Sequence, residues 1–321
     1  MKVYLHIGTH KTGSTLIQEA CVRLHEALRE DGFFYPIKGF SGTGHHELAW
    51  AIKSKDEETA RKLYKEIKDD STREEVLLLS SEEFEFIRDF SLFEELFGED
   101  EVSVIVYLRR QDKYLESEYN QHVRMYKTRF SGDIFQFFMF HNFDMRFNYE
   151  ALLKSWESLA AVVNVIPESY DQVSDDNRLL STFFEHIGVS EECYETEEFN
   201  RANVSIPPSA LVYLVRWNRL PDVKKCIHDQ YIELLKDPLL QEKIRGGLPV
   251  ENQNNSYETF LGESYGKRLV SKFRDRNSFV SRKYFGRGSL FDNDFSSNFR
   301  IDPYEHFDLA LARRIEEVVK H

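Results

Sequence analysis

MKVYLHIGTHKTGSTLIQ, residues 1–18, changes its apolar pattern twice within eighteen residues. Val3, Leu5 and Ile7 alternate with Tyr4 and His6, which is the pattern of a buried strand. The chain then breaks at Gly8 into Thr9-His10-Lys11-Thr12-Gly13-Ser14-Thr15, a run with one lysine and four hydroxyls. Beyond Thr15 the period changes. Leu16, Ile17, Ala20, Leu24, Ala27 and Leu28 recur at helical spacing and share one face. A strand, a glycine-bearing loop and a helix N-terminus together make an anion site. The loop amides and the unpaired N–H groups of the first helical turn converge there. Lys11 adds a mobile positive charge, and Ser14 and Thr15 add donors. An ordinary strand-to-helix turn carrying a surface lysine is the plain alternative.

The loop departs from the NTPase pattern. Gly8 and Gly13 have the G-x-x-x-x-G spacing, but Ser14 stands where that motif requires lysine. The lysine lies two residues before the second glycine instead. This K-T-G-S-T order, directly after a strand ending H-I-G, resembles the 5′-phosphosulfate loop of sulfotransferases. Those enzymes use 3′-phosphoadenosine 5′-phosphosulfate (PAPS). The resemblance implies that Lys11, Thr12, Gly13, Ser14 and Thr15 hold the donor's 5′ end and that Lys11 takes part in catalysis.

A second motif follows about a hundred residues later. Glu101 to Leu108, EVSVIVYL, suits a central strand, and Arg109-Arg110-Gln111-Asp112-Lys113-Tyr114-Leu115-Glu116-Ser117 comes immediately after it. In the sulfotransferase family such a strand ends in an arginine, and a serine lies eight residues further along the next helix. Both hold the 3′-phosphate. Arg109 and Ser117 occupy those positions here. Eight residues is slightly over two helical turns, so the two can face one side. Taken alone, Arg109 would be a salt-bridged residue at a strand end.

Composition narrows the class. Lys+Arg of 42 against Asp+Glu of 55 gives a net charge of −13, which argues against nucleic acid as a partner. An acidic protein that binds an anionic nucleotide must concentrate positive charge locally, and Lys11, Arg109 and Arg110 are the candidates. The three cysteines, Cys21, Cys193 and Cys226, form no C-x-x-C pair and no metal-ligand spacing. Cys21, near the apolar face of the first helix, reads as a small core residue. Strand pattern begins by residue 3 with no signal-peptide core before it, and no apolar run approaches the roughly eighteen residues needed to span a bilayer. These features and the resemblance imply a cytoplasmic, bacterial enzyme.

Further along, Gly32 to Pro36 is a short aromatic strand and Lys38 to Gly44 a flexible loop. His45-His46-Glu47 begins a helix. In the carbohydrate sulfotransferases that this chain resembles, a glutamate or histidine in this region deprotonates the acceptor hydroxyl, and His46 is the first choice. The alternative is that one histidine caps the helix and the other is solvated. Lys53 to Asp70 reads as one exposed helix. Val76 to Leu79 is an unbroken apolar strand. Ligands of open α/β sheets collect at the C-terminal ends of strands, so Glu82 and Glu83 are expected beside Lys11, with Glu82 as base or substrate ligand. Acidic residues also favour a first helical turn for dipole reasons alone.

Ser131 to Phe147 is rich in phenylalanine, a density that indicates core packing more than a sugar platform. Ala161 to Ile166 is a further buried strand. Glu191 to Glu198 reads as an acidic loop, Asn200 to Ser205 leads into Pro207-Pro208 and a helix, and Gly246 to Ser256 is polar and loop-like. Ser281 to Gly288 is a late basic stretch. By resemblance Arg282, Lys283 and Arg287 close over the 3′-phosphate and adenine; by the bland reading they belong to a surface loop. Arg313 and Arg314 fall on an amphipathic helix as surface charges.

Strands near residues 3, 77, 104 and 163 with helices between them predict a parallel sheet with right-handed crossovers. The expected fold is therefore α/β, a P-loop-like three-layer arrangement with a helical C-terminal part. It forms a single domain over 1–321, with a nucleotide core at 1–170 and a mostly helical part at 171–321 packed on it. The activity implied by resemblance is transfer of a sulfuryl group from PAPS to an acceptor hydroxyl, with a saccharide as partner and adenosine 3′,5′-bisphosphate as product. A sulfuryl group carries less charge than a phosphoryl group, so no metal is required in principle. A P-loop kinase and a non-catalytic nucleotide-binding protein of the same fold are the alternatives. The acceptor's identity and the oligomeric state are not legible.

Overall fold

The computed structural model describes residues 1–72, 76–175, 177–194, 206–248, 257–295, 298–302 and 306–320. The chain packs as two compact units, each assembled from three stretches. The first comprises Met1–Arg109, Asn148–Arg201 and Asp275–Phe291; the second comprises Arg110–Phe147, Ala202–Arg274 and Asp292–His321.

A wholly parallel five-stranded sheet organises the first unit. Its strands are β1 (Lys2–His6), β2 (Phe33–Phe34), β3 (Val76–Ser80), β4 (Glu101–Leu108) and β5 (Val162–Ser169), in the spatial order β2-β3-β1-β4-β5. All the expected strands are present. β1 lies between two partners, with Leu5 opposite Leu79 on one side and Val104 on the other. Parallel strands covered on both faces read as unbroken apolar runs, and alternation then divides each run between two cores. Val3, Leu5 and Ile7 join Leu77, Leu79, Val104 and Val106 in one; Tyr4, Leu78, Ile105 and Tyr107 join the other.

Helices complete both cores, so the sheet is the middle of three layers. α1 (Ser14–Arg23) and α2 (His25–Glu30) bring Ile17, Ala20, Cys21 and Leu28 to the face of Tyr4. α3 (His46–Ser54), α4 (Glu57–Asp70) and α5 (Ser91–Phe97) bring Leu48, Ile52, Tyr64, Ile67 and Phe93 to the face of Leu5.

Two sequence expectations are corrected. The stretch Lys53–Asp70 is not one helix: Lys55 adopts a left-handed φ of 61°, and Asp56 caps α4 by accepting the Thr59 N–H at 3.2 Å. Nor is α4 fully exposed, since Ala60, Tyr64 and Ile67 recur at helical spacing and are buried. The late basic stretch is helical over most of its length. Arg274–Phe285 is a helix, so Arg282 and Lys283 lie in its last turn and the loop starts at Gly286 (φ 62°). The acidic stretch begins with a 3₁₀ turn, Glu191–Cys193, and the polar one begins at the end of the helix Pro238–Gly246. Their remainders, at 195–198 and 249–256, lie outside the described residues, as does 200–205.

The second unit is mainly helical and includes Gln111–Arg124, Pro208–Trp217, Lys225–Leu235, Gly262–Lys272 and Leu309–Lys320. A parallel two-stranded pair, β6 (Tyr257–Thr259) and β7 (Asn298–Arg300), was not expected. Phe137, Phe143 and Phe147 are buried in this unit's core beside Tyr119. Among the described residues no helix is long and apolar enough to cross a membrane.

Asp100, buried just before β4, accepts hydrogen bonds from the Lys68 ammonium and the Tyr64 hydroxyl. Burial pushes its carboxyl up, but Lys68 and Tyr64 outweigh that and hold it below the usual aspartate range. A depressed carboxylate contributes stability that is present above the ordinary value of 3.8 and lost as pH falls through the folded value. Asp100→Asn should therefore destabilise the protein at pH 7 by about 1–3 kcal/mol. Urea unfolding should show this difference shrinking once the pH drops below 3.8.

Candidate functional site

The loop after β1 is held by its own polar groups. Thr9 donates its hydroxyl to the Tyr107 carbonyl at 2.8 Å, which ties the loop to β4, and the Thr12 hydroxyl donates to the Thr9 carbonyl. Both threonines are fully buried. Three residues are left-handed: Gly8 (φ 48°), Lys11 (φ 66°) and Gly13 (φ 77°). For lysine that conformation costs about 1–2 kcal/mol. Gly13 is the N-cap of α1, with no side-chain cap and no acidic residue in the first turn. The first-turn amides, Ser14 and Thr15 among them, thus begin a helix whose own first turn holds no carboxylate to offset its positive end.

Arg109, which follows directly on β4, reaches this loop. Its Nη1 donates to the Lys11 carbonyl at 2.8 Å, joining residues 98 apart in sequence. The parallel pairing of β1 with β4 brings both strand ends to one edge of the sheet. The guanidinium lies 5.2 Å from the Tyr170 ring centroid, and its Nε is 4.0 Å from Asp171 Oδ1. That Nε is buried and makes no hydrogen bond among the described residues. A buried guanidinium N–H left without an acceptor is costly, and a phosphate oxygen is an acceptor of the right kind.

Beside the loop, the end of β3 carries an acidic 3₁₀ turn, Glu82–Phe86, entered through Ser81. Glu82 packs against Gly8, as expected: a Cβ added at Gly8 would lie 3.2 Å from the Glu82 Cβ. Gln18 on α1 donates to Glu82 at 3.0 Å. Burial pushes the Glu82 carboxyl up. Its own backbone N–H, the adjacent His10 and His46, and the Gln18 amide together bring it below the usual range. His10, in the loop, places Nδ1 2.8 Å from Glu85 Oε1 and Nε2 3.9 Å from Glu83 Oε1. Glu83 also pairs with Lys53 at 2.6 Å.

The two histidines before α3 differ. His45 is fully buried; its Nε2 donates to the Pro36 carbonyl at 2.8 Å and its Nδ1 accepts the Ser80 N–H at 3.0 Å. Burial lowers it to about 4. It is a neutral structural residue, neither a solvated side chain nor a side-chain cap. His46 is half-buried, with Nδ1 2.7 Å from Ser81 Oγ, and its ring stacks on Trp50. Glu47 is exposed. His6, also buried, bonds Ser80 and is lowered by burial to about 4.

The structure thus brings Lys11, Thr12, Gly13, Ser14, Thr15, Arg109, His46, Glu82 and Glu83 to one edge of the first unit's sheet. Ser117 belongs to the second unit, half-buried on the helix Gln111–Arg124. Arg110 is also in that unit. It is buried in a two-bond pair with Asp112 and donates to the Asp292 and Asp294 carbonyls, so it is a structural cation. Lys283 pairs with Glu157, and Arg287 donates to Gln172 and the Leu290 carbonyl. The sequence reading missed His10, Glu85 and Gln18. His10 sat inside the decisive loop, but nothing in the spacing tied it to Glu85. No family model, no characterised protein and no solved structure matches the chain.

A Cβ on Gly13 would lie 2.3 Å from Leu179 Cδ2 and would strain a left-handed backbone. Gly13→Ala should cost about 1–3 kcal/mol and shift thermal unfolding downward. Unfolding at the wild-type temperature would show that the loop does not need this geometry.

Proposed function

We propose that this chain is a PAPS-dependent sulfotransferase with a P-loop-like fold. It moves a sulfuryl group to an acceptor hydroxyl, with a saccharide as the favoured acceptor class. The observation that carries the proposal is the hydrogen bond from Arg109 to the Lys11 carbonyl. Arg109 and Lys11, which the resemblance assigns to opposite ends of one nucleotide, are in direct contact within one unit. The start of α1, without a side-chain cap, and the buried Nε of Arg109, without a hydrogen bond among the described residues, fit a ligand with two separate anionic groups.

When bound, the donor supplies an activated sulfuryl group on its 5′-phosphate. The roles of the chain's residues follow from charge. Amides of Gly13, Ser14 and Thr15, with Lys11, offset the negative charge that builds on the departing phosphate, as preorganised donors do. Arg109 holds the 3′-phosphate, and its bond to the Lys11 carbonyl fixes the distance between the two anion seats. His46 and Glu82, the bases expected from sequence, stand at the same edge. General-base catalysis is worth roughly 10²–10⁴-fold.

Calorimetric titration with adenosine 3′,5′-bisphosphate, beside ATP with Mg²⁺, tests the reading. Arg109→Ala should weaken bisphosphate binding by about 10–100-fold, the loss of one charge-assisted contact. Lys11→Ala should lower donor turnover by about 10²-fold or more. Binding of ATP alone would contradict the proposal and favour a kinase.

A further inference from the structure

We propose that His10, oriented by the buried carboxylate of Glu85, is the residue that takes the acceptor hydroxyl's proton. This rests on the sulfuryl-transfer reading and adds a base that the two motifs do not name. Several side chains at this edge can accept a proton: Glu83 is engaged by Lys53 at 2.6 Å and Glu85 by His10 at 2.8 Å, and the surroundings of Glu82, His46 and His10 distinguish those three. Glu82 is held below the usual carboxylate range and accepts from Gln18, which makes it a weak base at neutral pH. His46 faces the Ser81 hydroxyl at 2.7 Å, and a hydroxyl both donates and accepts, so this contact does not select a tautomer. His10 faces a carboxylate at 2.8 Å, and an ionised carboxylate only accepts. With Glu85 ionised, Nδ1 carries the proton and Nε2 is the basic nitrogen.

The pair is held in packed surroundings. Glu85 is 3% exposed and sits in the 3₁₀ turn Glu82–Phe86, while the His10 ring packs on Phe86 with centroids 4.9 Å apart. His10 precedes Lys11 directly, so the proton acceptor and the charge that balances the leaving phosphate come from one loop. In the step, the acceptor oxygen forms a bond to sulfur while the bond from sulfur to the phosphate oxygen breaks. The hydroxyl proton passes to Nε2, and the electron pair leaves on the phosphate of adenosine 3′,5′-bisphosphate. The imidazolium then lies between Glu85 and Glu83, whose nearest oxygen is 3.9 Å from Nε2. Two flanking carboxylates stabilise that cation. The charged groups near the ring include Glu82, Glu83 and Glu85, with Lys53 paired to Glu83, Arg88 donating to the Glu85 carbonyl, and Lys11 next in sequence.

The test uses the full chain with ¹⁵N-labelled histidine, His10 being assigned by its absence in His10→Gln. Nitrogen shifts above the titration range should show the Nδ1–H tautomer, lost in Glu85→Gln. Donor turnover is followed with water or an added methyl glycoside as the hydroxyl. It should fall about 10²–10⁴-fold in His10→Gln, while bisphosphate affinity stays within about threefold. Removing the carboxylate lowers the imidazole's affinity for protons, so Glu85→Gln should move the rising limb of the rate profile to lower pH. An Nε2–H tautomer, or near-normal turnover in a His10→Gln protein that still binds bisphosphate, would overturn this assignment and leave the sulfotransferase reading standing. Failure of the wild-type protein to bind bisphosphate would overturn both.

Discussion

The hydrogen bond from the Arg109 guanidinium to the Lys11 carbonyl is the contact on which the site's geometry depends. It exists because β1 and β4 are adjacent and parallel, with His6 opposite Ile105, so their C-terminal ends open on the same edge. It also compensates a local cost, since Lys11 is held at a left-handed φ of 66°. A strained lysine between two left-handed glycines is unfavourable unless its surroundings over-determine it. Thr9 on the Tyr107 carbonyl and Arg109 on the Lys11 carbonyl provide that determination from one strand. Removing either contact would relax the loop before it changed the sheet.

Charge is arranged at short range against the overall balance. The chain carries a net −13, yet the start of α1 is free of carboxylates in its first turn. The acidic residues stand one strand away, in the turn after β3, where His10, Lys53 and Gln18 engage them. One edge therefore sets a loop and a helix start without first-turn carboxylates beside a cluster of carboxylates and imidazoles, the arrangement on which the proposed function rests. A reaction that builds negative charge on a leaving group while removing a proton from a nucleophile needs both.

Much of this was legible in the sequence, for identifiable reasons. Parallel strands buried on both faces leave continuous apolar runs, so Val76–Leu79 and Glu101–Leu108 were readable without a partner. The loop's place between β1 and α1 was readable because the apolar pattern changes from alternation to helical spacing across Gly8 and Gly13. What was not legible depends on pairing across the chain. Lys55 ends α3 by adopting a conformation that its residue type does not announce, and the charged run through Asp70 hid a buried stripe of Ala60, Tyr64 and Ile67. The buried state of His45 depends on Pro36 and Ser80, which contact it from two other segments. His10 and Glu85 are 75 residues apart, and no periodicity connects a loop histidine to the fourth position of a short turn.

In the proposed function, the loop between β1 and α1 seats the nucleotide's 5′ end. A crystal structure with adenosine 3′,5′-bisphosphate should show the 5′-phosphate on the amides of Gly13, Ser14 and Thr15 with Lys11 beside it, and the 3′-phosphate on Arg109. A nucleotide bound elsewhere, or a loop left empty at saturating bisphosphate, would contradict it.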